Sequence, residues 1–288
     1  GLNTSPGSGI VQVFDWYQAS VPASAEAVFQ QLLGHMPEGT VWGDGKGRFS
    51  FAGERVFATP DGEALARVLH GGVNPHPNVQ ASGDHSPAMA ALLRHLWPEH
   101  RVSRLDVAID MRGEGVFDEC VRIMGHVRHE FRLKGKKILP DDLDEGSTYY
   151  LGGDQSALRV RCYEKGKQLH KLTGDPLYRQ LFDWTRLELQ VRPEKGFKSA
   201  AAKLPPEAFW GCSAWTRELA SQTLARNPQP VTMKPARIAD HERAMRFLVQ
   251  QYGAVIARQV DKLGSWDAFT DDLRERLGMD ATQRQNAA

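Results

Sequence analysis

The sequence is poor in cysteine and has no long apolar run. Its three cysteines, Cys120, Cys162 and Cys212, are odd in number and widely spaced. This argues against a disulfide framework or a cysteine-based zinc site, and it fits a reducing compartment. No stretch approaches the roughly 18 apolar residues that a membrane-spanning helix needs. The composition therefore predicts a cytoplasmic protein without a membrane partner.

The chain also lacks a strong net charge. Its 36 Lys and Arg nearly balance 35 Asp and Glu, for a formal net charge of +1. Binding to nucleic acid would therefore depend on a local basic patch. Residues 157–203 provide such an excess, with 11 Lys and Arg against 5 Asp and Glu. A solvated charged face would explain the same excess, so the charge does not decide the function.

The order of predicted elements suggests one main domain and a small helical unit. Residues 1–9 (GLNTSPGSG) lack the basic and apolar regions of a signal peptide and predict a flexible tail. Residues 10–227 predict an α+β domain in which antiparallel sheet packs against helices. A strand, a helix, several strands and a helix follow one another twice, in 10–100 and 101–227, which suggests an internal duplication. Residues 236–280 predict a helical unit that is interrupted near Gly253 and Gly264.

Three predicted strands carry charged residues on one face and apolar residues on the other. Side chains alternate across a strand, so residues two apart share a face. The strands are RLDVAID (104–110), LRVRCYEK (158–165) and WTRLELQV (184–191). In that order, the polar faces contain Arg104, Asp106 and Asp110; Arg159, Arg161, Tyr163 and Lys165; and Arg186, Glu188 and Gln190. A sheet with one wet face and cross-strand ion pairs would explain each strand separately.

Taken together, the three strands favour phosphoryl transfer. If they are neighbours, the acids could hold a divalent metal through oxygen ligands, and metal and arginines could neutralise a phosphodiester. Tyr163 lies between Arg161 and Lys165, whose charges would favour the phenolate of a group with an ordinary pKa near 10. Attack on the phosphate would leave a phosphotyrosine. Tyr149, Tyr150 and Tyr178 are alternative nucleophiles, and Tyr150 is the strongest because it could share the polar face with Thr148.

The combination of RLDVAID, TYYLGGDQSALRVRCYEKGKQ and WTRLELQVR resembles the replication initiation factor family of phages and plasmids. That family includes rolling-circle initiators and related relaxases of integrative conjugative elements. Weaker matches are FDWYQASVP and VQASGDHSPAMAALL, so the resemblance extends over residues 11–209. It implies a relative of the HUH nucleases with a degenerate histidine motif, and the chain indeed contains no His-apolar-His triplet.

The resemblance also implies roles for individual residues. Tyr163 matches the family tyrosine, and Asp106, Asp110 and Glu188 match the acids that would bind Mg²⁺ or Mn²⁺. We place Arg161 and Lys165 beside the nucleophile and predict DNA contacts for Arg104, Arg159, Lys167 and Arg186. The chain differs from the family pattern at two positions. The turn GGDQS lacks an arginine that is frequent in the family, and Cys162 occupies a position where an apolar or β-branched residue is expected. Neither difference removes a catalytic group, but both bear on which DNA substrate is bound.

The predicted function is that of a rolling-circle replication initiator whose catalytic domain spans residues 10–227. It would nick and rejoin one strand of origin DNA, single-stranded or hairpin, through a 5′-phosphotyrosine, with a host helicase as a partner. Two alternatives stay open. One is a DNA-binding regulator on the same scaffold without catalysis, and the other is a conjugative relaxase of an integrative element. The sequence does not separate initiator from relaxase.

Overall fold

The predicted strands assemble into one antiparallel sheet in the computed structural model, which describes residues 11–142, 144–225, 227–231 and 240–276. Ten strands of this described part follow the order β2-β3-β4-β5-β1-β6-β10-β9-β8-β7. Their bounds are β1 Gln12–Ser20, β2 Val41–Lys46, β3 Gly53–Ala58, β4 Ala64–His70, β5 Asn78–Ser82, β6 Arg101–Arg112, β7 Gly135–Ile138, β8 Thr148–Leu151, β9 Leu158–Glu164 and β10 Trp184–Val191. With the helices packed on it, this sheet confirms the predicted α+β class.

Helices connect the strands and follow the last one. They are α1 Ala25–Gly34, α2 Ser86–Leu96, α3 Val116–Glu130, α4 Lys165–Thr173, α5 Lys198–Ala201, α6 Ala214–Leu224, α7 Asp240–Leu263 and α8 Trp266–Arg276. Short 3₁₀ segments occupy Gly83–His85, Pro176–Leu181 and Pro206–Cys212. No helix of the described residues is long and apolar enough to cross a bilayer.

The sheet consists of two runs with the same strand order. Strands β1 and β6 pair at the centre, and each is the first strand of its run and is followed by a helix. Moving outwards, β1 is followed by β5, β4, β3 and β2, whereas β6 is followed by β10, β9, β8 and β7. The topology therefore repeats about the central pair, as a duplicated unit would. Because β1 and β6 are hydrogen-bonded neighbours, the two runs share one sheet.

Burial of the apolar face determines which side of the sheet the helices cover. Val107 of β6, Val160 of β9 and Leu189 of β10 are fully buried in one cluster with residues of the helices. The helical members of the cluster include Val28 of α1, Leu93 of α2, Met124 of α3 and Leu219 of α6. Removing this surface from water contributes about 25 cal/mol per Å² of apolar area. The charged face is consequently directed away from these helices.

The chain divides into two compact units, Gly1–Lys234 and Pro235–Ala288. In the second unit, α7 passes through Gly253 without interruption, so the predicted break there is wrong. The helix ends before Gly264, whose φ of +83° suits glycine. The predicted tail, 1–9, and the ends of the predicted helical unit, 236–239 and 277–280, lie outside the described residues.

Two helical glycines provide a test of the packing. A Cβ on Gly166 would collide with the carbonyl oxygen of Leu181, whereas a Cβ on Gly125 in α3 would meet nothing within 4 Å. We expect Gly166→Ala to lower the free energy of unfolding by about 1–3 kcal/mol through overpacking. The matched Gly125→Ala change should raise it by about 0.5–1 kcal/mol, because alanine is the better helix former. Urea denaturation of both variants checks this, and equal stabilities would contradict the described packing.

Candidate active site

The three charged strands are neighbours, and their registers align the polar faces. Strand β10 pairs with β6 on one side and with β9 on the other. Glu188 lies opposite Ala108 and Arg161, while Arg186 lies opposite Asp110 and Tyr163. The candidate residues therefore occupy one surface at the centre of the second run. The site thus consists of the polar faces of these three strands, which lie side by side as predicted.

The acids of this surface are held by arginines. Arg161 donates a 2.7 Å hydrogen bond from Nη2 to Oε2 of Glu188, and Arg104 donates to both oxygens of Asp106. Their two carboxylates are 2–3% exposed, whereas the arginines are 30–37% exposed. The guanidinium groups thus lie over buried acids and face solvent themselves.

A further acid comes from outside the three strands. Arg186 donates from Nη1 to Asp15 and from Nη2 to Asp110, each at 2.7 Å. Asp15 belongs to β1 and lies at a register shift between Phe14 and Trp16. Asp15 was not among the predicted site residues, because alternation does not show where an extra residue interrupts the pairing. Arg186 is only 11% exposed and is therefore an internal member of this network of ion pairs.

Burial changes the protonation of Glu188. Removal of its carboxylate from water raises its pKa from 4.5 to about 7, and the negative charge of Asp106 adds to this shift. Arg161 opposes the shift through charge and hydrogen bonding but does not cancel it. Burial therefore favours the protonated form of Glu188 more than water does.

Tyr163 lies among cations but is neutral. Its ring centroid is 4.8 Å from the guanidinium carbon of Arg161 and 5.8 Å from Nζ of Lys165. Burial and the charge of Glu188 nevertheless raise the pKa of Tyr163 above its ordinary value, outweighing Arg161 and Arg186. The charge of Arg161 thus favours the phenolate as predicted, but burial outweighs it, and the neutral phenol is the favoured form in the protein alone.

Lys165 reaches the site from a different element than predicted. Strand β9 ends at Glu164, and Lys165 is the first residue of α4. Its ammonium group still approaches the Tyr163 ring. The pKa of Lys165 is lowered by burial and by the charge of Arg186.

The alternative tyrosines occupy other environments. Tyr149 lies opposite Cys162 on the apolar face and is buried in the core. Tyr150 lies on the polar face opposite Arg161, one strand further out than Tyr163. Tyr178 belongs to the 3₁₀ segment after α4. Among these residues, Tyr163 has the position nearest to the acids.

The four arginines and lysines predicted to contact DNA are distributed unevenly. Arg104 and Arg159 lie on the polar face, where they are 30% and 21% exposed. Lys167 of α4 instead pairs with Glu164, the last residue of β9, at 2.8 Å. Glu164 follows Tyr163 in the strand and so faces the opposite side of the sheet. The structure therefore does not bring Lys167 together with the other predicted DNA contacts.

The predicted metal ligands do not form a trio. The described residues contain no group of three His, Cys, Asp or Glu side chains that could hold a metal. Asp110 lies four residues beyond Asp106, about 13 Å along the strand, and accepts hydrogen bonds from Trp184 and Arg186. The assignment of Asp110 as a ligand beside Asp106 and Glu188 is corrected accordingly.

Gln190 is the better third oxygen donor. It lies opposite Asp106 and two residues from Glu188 on the same face. Its Oε1 atom is buried and accepts no hydrogen bond among the described residues. Two carboxylates and an amide oxygen suit a hard divalent cation such as Mg²⁺ or Mn²⁺. The motif ELQ carried this signal, because Gln190 shares the face of Glu188.

Part of the chain that contains this site matches a known protein family. Residues 100–204 match the sequence model of the replication initiation factor family. This segment is a replication initiation factor domain. The predicted family resemblance is thereby confirmed, and the replication initiation factor domain contains Asp106, Tyr163 and Glu188. Asp15 lies outside the matched segment.

The fold has a counterpart among solved structures. The "Rolling Circle Replication Initiator Protein from Geobacillus stearothermophilus" is 18% identical to this chain, with a TM-score of 0.50. The similarity covers 79% of this chain and 100% of that chain. At this identity the likeness establishes the fold. No curated protein matches the chain.

The raised pKa of Glu188 predicts how stability depends on pH. A carboxyl group with a folded-state pKa above its unfolded value contributes stability below pH 4.5 and loses it as pH rises through 7. Relative to Glu188→Gln, the wild type should lose about 3 kcal/mol of unfolding free energy between about pH 4 and pH 8. Urea denaturation across this range measures the difference, and a constant difference would contradict the buried, protonated carboxyl.

Glu119 provides a control of opposite sign. Hydrogen bonding to Arg122 lowers the pKa of this exposed carboxyl, so its stabilisation is present above pH 4.5 and lost as pH falls. The Glu119→Gln comparison should therefore change in the opposite direction and by a smaller amount.

Proposed function

We propose that this protein initiates rolling-circle replication by nicking and rejoining one DNA strand through Tyr163. The observation that carries the proposal is the position of Tyr163 beside Arg161 and diagonally across from Glu188, within the replication initiation factor domain. A phenol, buried acids and guanidinium groups on one sheet face are the groups that phosphodiester transesterification needs.

The chemical step conserves the energy of the cut bond. The Oη atom of Tyr163 loses its proton and bonds to phosphorus, while the bond from phosphorus to the 3′ oxygen breaks and that oxygen takes up a proton. The 5′ end is then held as a phosphotyrosine, and the free 3′-hydroxyl can prime synthesis. Arg161 and Lys165, which flank the ring, are placed to offset the charge of the phosphate.

The neutral state of Tyr163 implies that the site is activated by its ligands. Asp106, Glu188 and Gln190 would hold Mg²⁺ or Mn²⁺, which supplies positive charge that polarises the phosphate. Arg104 and Arg161 are the present partners of the two carboxylates. If a bound metal ion neutralised those carboxylates, both guanidinium groups would be available to bind phosphate oxygens.

The DNA substrate follows from the open charged face. Arg104 and Arg159 are 30% and 21% exposed on that face and would contact the backbone of single-stranded or hairpin origin DNA. A host helicase as partner rests on the family resemblance alone. A conjugative relaxase would use the same chemistry on a transfer origin.

A regulator without catalysis is the second candidate. The observation that favours it is the mutual neutralisation of the site, in which Asp15, Asp106, Asp110 and Glu188 each accept hydrogen bonds from arginine. Such a network would also stabilise a passive sheet surface. Covalent adduct formation distinguishes the two functions.

Replacing the nucleophile should separate binding from chemistry. We expect wild-type protein with Mn²⁺ to nick a supercoiled plasmid carrying the DNA that surrounds its coding sequence, and to become linked to a 5′ end. Tyr163→Phe should retain DNA affinity within a few-fold and form no adduct, because the attacking atom is missing. Denaturing gels with labelled DNA measure the adduct, and a gel shift measures binding.

Tyr178→Phe is the matched control and should keep the adduct. An adduct in Tyr163→Phe that disappears in Tyr150→Phe would transfer the role to Tyr150. A gel shift without nicking by the wild type would support the regulator.

Removal of the metal should abolish nicking while preserving DNA binding. EDTA, Asp106→Asn and Glu188→Gln should each reduce nicking by at least about 100-fold, as expected for loss of transition-state charge stabilisation. Phosphate contacts supply most non-specific affinity and should persist. Gln190→Leu should weaken Mn²⁺ binding in calorimetry, whereas Asp110→Asn should not. Full nicking in EDTA would eliminate the metal from the mechanism.

A further inference from the structure

Two aromatic side chains of the open face are not accounted for by the catalytic groups. The ring of Trp16 lies 4.7 Å from the guanidinium carbon of Arg104, and the ring of Tyr150 lies 4.0 Å from that of Arg159. Both rings are half-buried and lie outside the hydrophobic core. Their sequence neighbours Tyr17 and Tyr149 supply the aromatic packing of that core instead.

These two aromatics flank the catalytic row. Trp16 lies on β1 opposite Asp106, and Tyr150 lies on β8 opposite Arg161. The strand order β1-β6-β10-β9-β8 places the acids and Tyr163 between them. Four strand spacings separate β1 from β8, about 19 Å. Such a span is short enough for both rings to contact bases of one extended single strand, one on each side of a bound phosphate.

Each ring is held in a fixed orientation. The guanidinium of Arg104 is bound to Asp106, and that of Arg159 is 2.6 Å from Asp154. The Trp16 indole nitrogen also donates a 3.3 Å hydrogen bond to Gln18. In the protein alone, the carboxylates orient the guanidinium groups over the rings. Each pair is consequently an aromatic surface with a positive charge beside it.

We infer that Trp16 and Tyr150 stack against unpaired bases on the two sides of the phosphate bound at Tyr163. The inference rests on the proposed function for the identity of the ligand as single-stranded DNA. Aromatic rings and arginine planes bind bases through their π-faces, which makes recognition tolerant of sequence. A base within a duplex is already stacked on both sides, so this surface selects single-stranded DNA.

The test compares two oligonucleotides that differ only in their bases. One is a thymidine oligomer of about ten nucleotides, within the site sizes of single-strand binders, and the other has the same backbone without bases. Fluorescence anisotropy with the full chain should show tighter binding of the first, by roughly 5- to 150-fold per stacked base. Trp16→Leu and Tyr150→Leu should each lower this ratio, and the double variant should bring it close to one.

The base-free oligomer is the control for structural damage. A variant that only disturbs Arg104 or Arg159 would lose affinity for the backbone itself, whereas loss of stacking leaves that affinity unchanged. Trp42→Leu is the matched substitution, because Trp42 is 54% exposed on the edge strand β2 and lies on the other face, opposite the core residue Phe57. Tyr150→Phe keeps the ring and should keep the ratio.

Binding and nicking are measured separately, so the two proposals can fail independently. A wild-type ratio near one, or a ratio unaffected by both leucine variants, overturns the stacking surface even if Tyr163 forms its adduct. A ratio that depends on Trp16 and Tyr150 supports it even if no adduct forms. If a leucine variant fails to fold, the wild-type ratio and the phenylalanine variant still decide.

Discussion

The pairing of buried carboxylates with arginines on one sheet face is the interaction on which the site depends. Asp106 and Glu188 are nearly inaccessible, and an ionised carboxylate without a partner there would be costly. Arg104 and Arg161 satisfy these acids while remaining accessible to solvent. Tyr163 on the same face stays neutral, because burial and the charge of Glu188 outweigh the nearby positive charges. The guanidinium groups of Arg104 and Arg161 therefore stabilise the protein without ligand and are also accessible to an anionic ligand.

The duplicated topology explains why this chemistry lies at the middle of a wide sheet. A strand in the interior of the sheet has a hydrogen-bonded neighbour on each edge, so its side chains are shielded from water without being covered by helices. Strands β6 and β10 have such positions, and they carry Asp106 and Glu188. The outer strands β2 and β7 are exposed by comparison. Depth within the sheet, rather than a deep pocket, accounts for the burial of the acids.

Alternation along the strands was sufficient to predict the shared face. The register places Glu188, Arg161 and Asp106 on one surface because side-chain direction has a period of two, which a single sequence reveals. Distance along the strand is a different quantity. Asp110 has the correct face but bonds to Arg186 and Trp184, too far along β6 to join Asp106.

Other features depended on tertiary context that periodicity does not encode. Asp15 enters the site through an irregular pairing of β1, and Lys165 through the first turn of α4. The pKa of Tyr163 depends on how deeply the neighbouring strands bury its ring, which no count of flanking charges gives. The sequence does not distinguish Trp16 and Tyr150 from other aromatic residues in strands. Only the strand order places them on either side of the acids.

The hydrogen-bonded pair of β1 and β6 also limits how far the family segment can act alone. Residues 100–204 begin at β6, so a fragment limited to them would lack β1, and the edge of β6 that pairs with β1 would be left without partners. An edge of that kind invites association with other chains. The ion pair of Arg186 with Asp15 would be lost with it. We therefore expect a fragment that folds independently to be longer than residues 100–204. Moving the site into another protein would require the preceding half of the sheet as well.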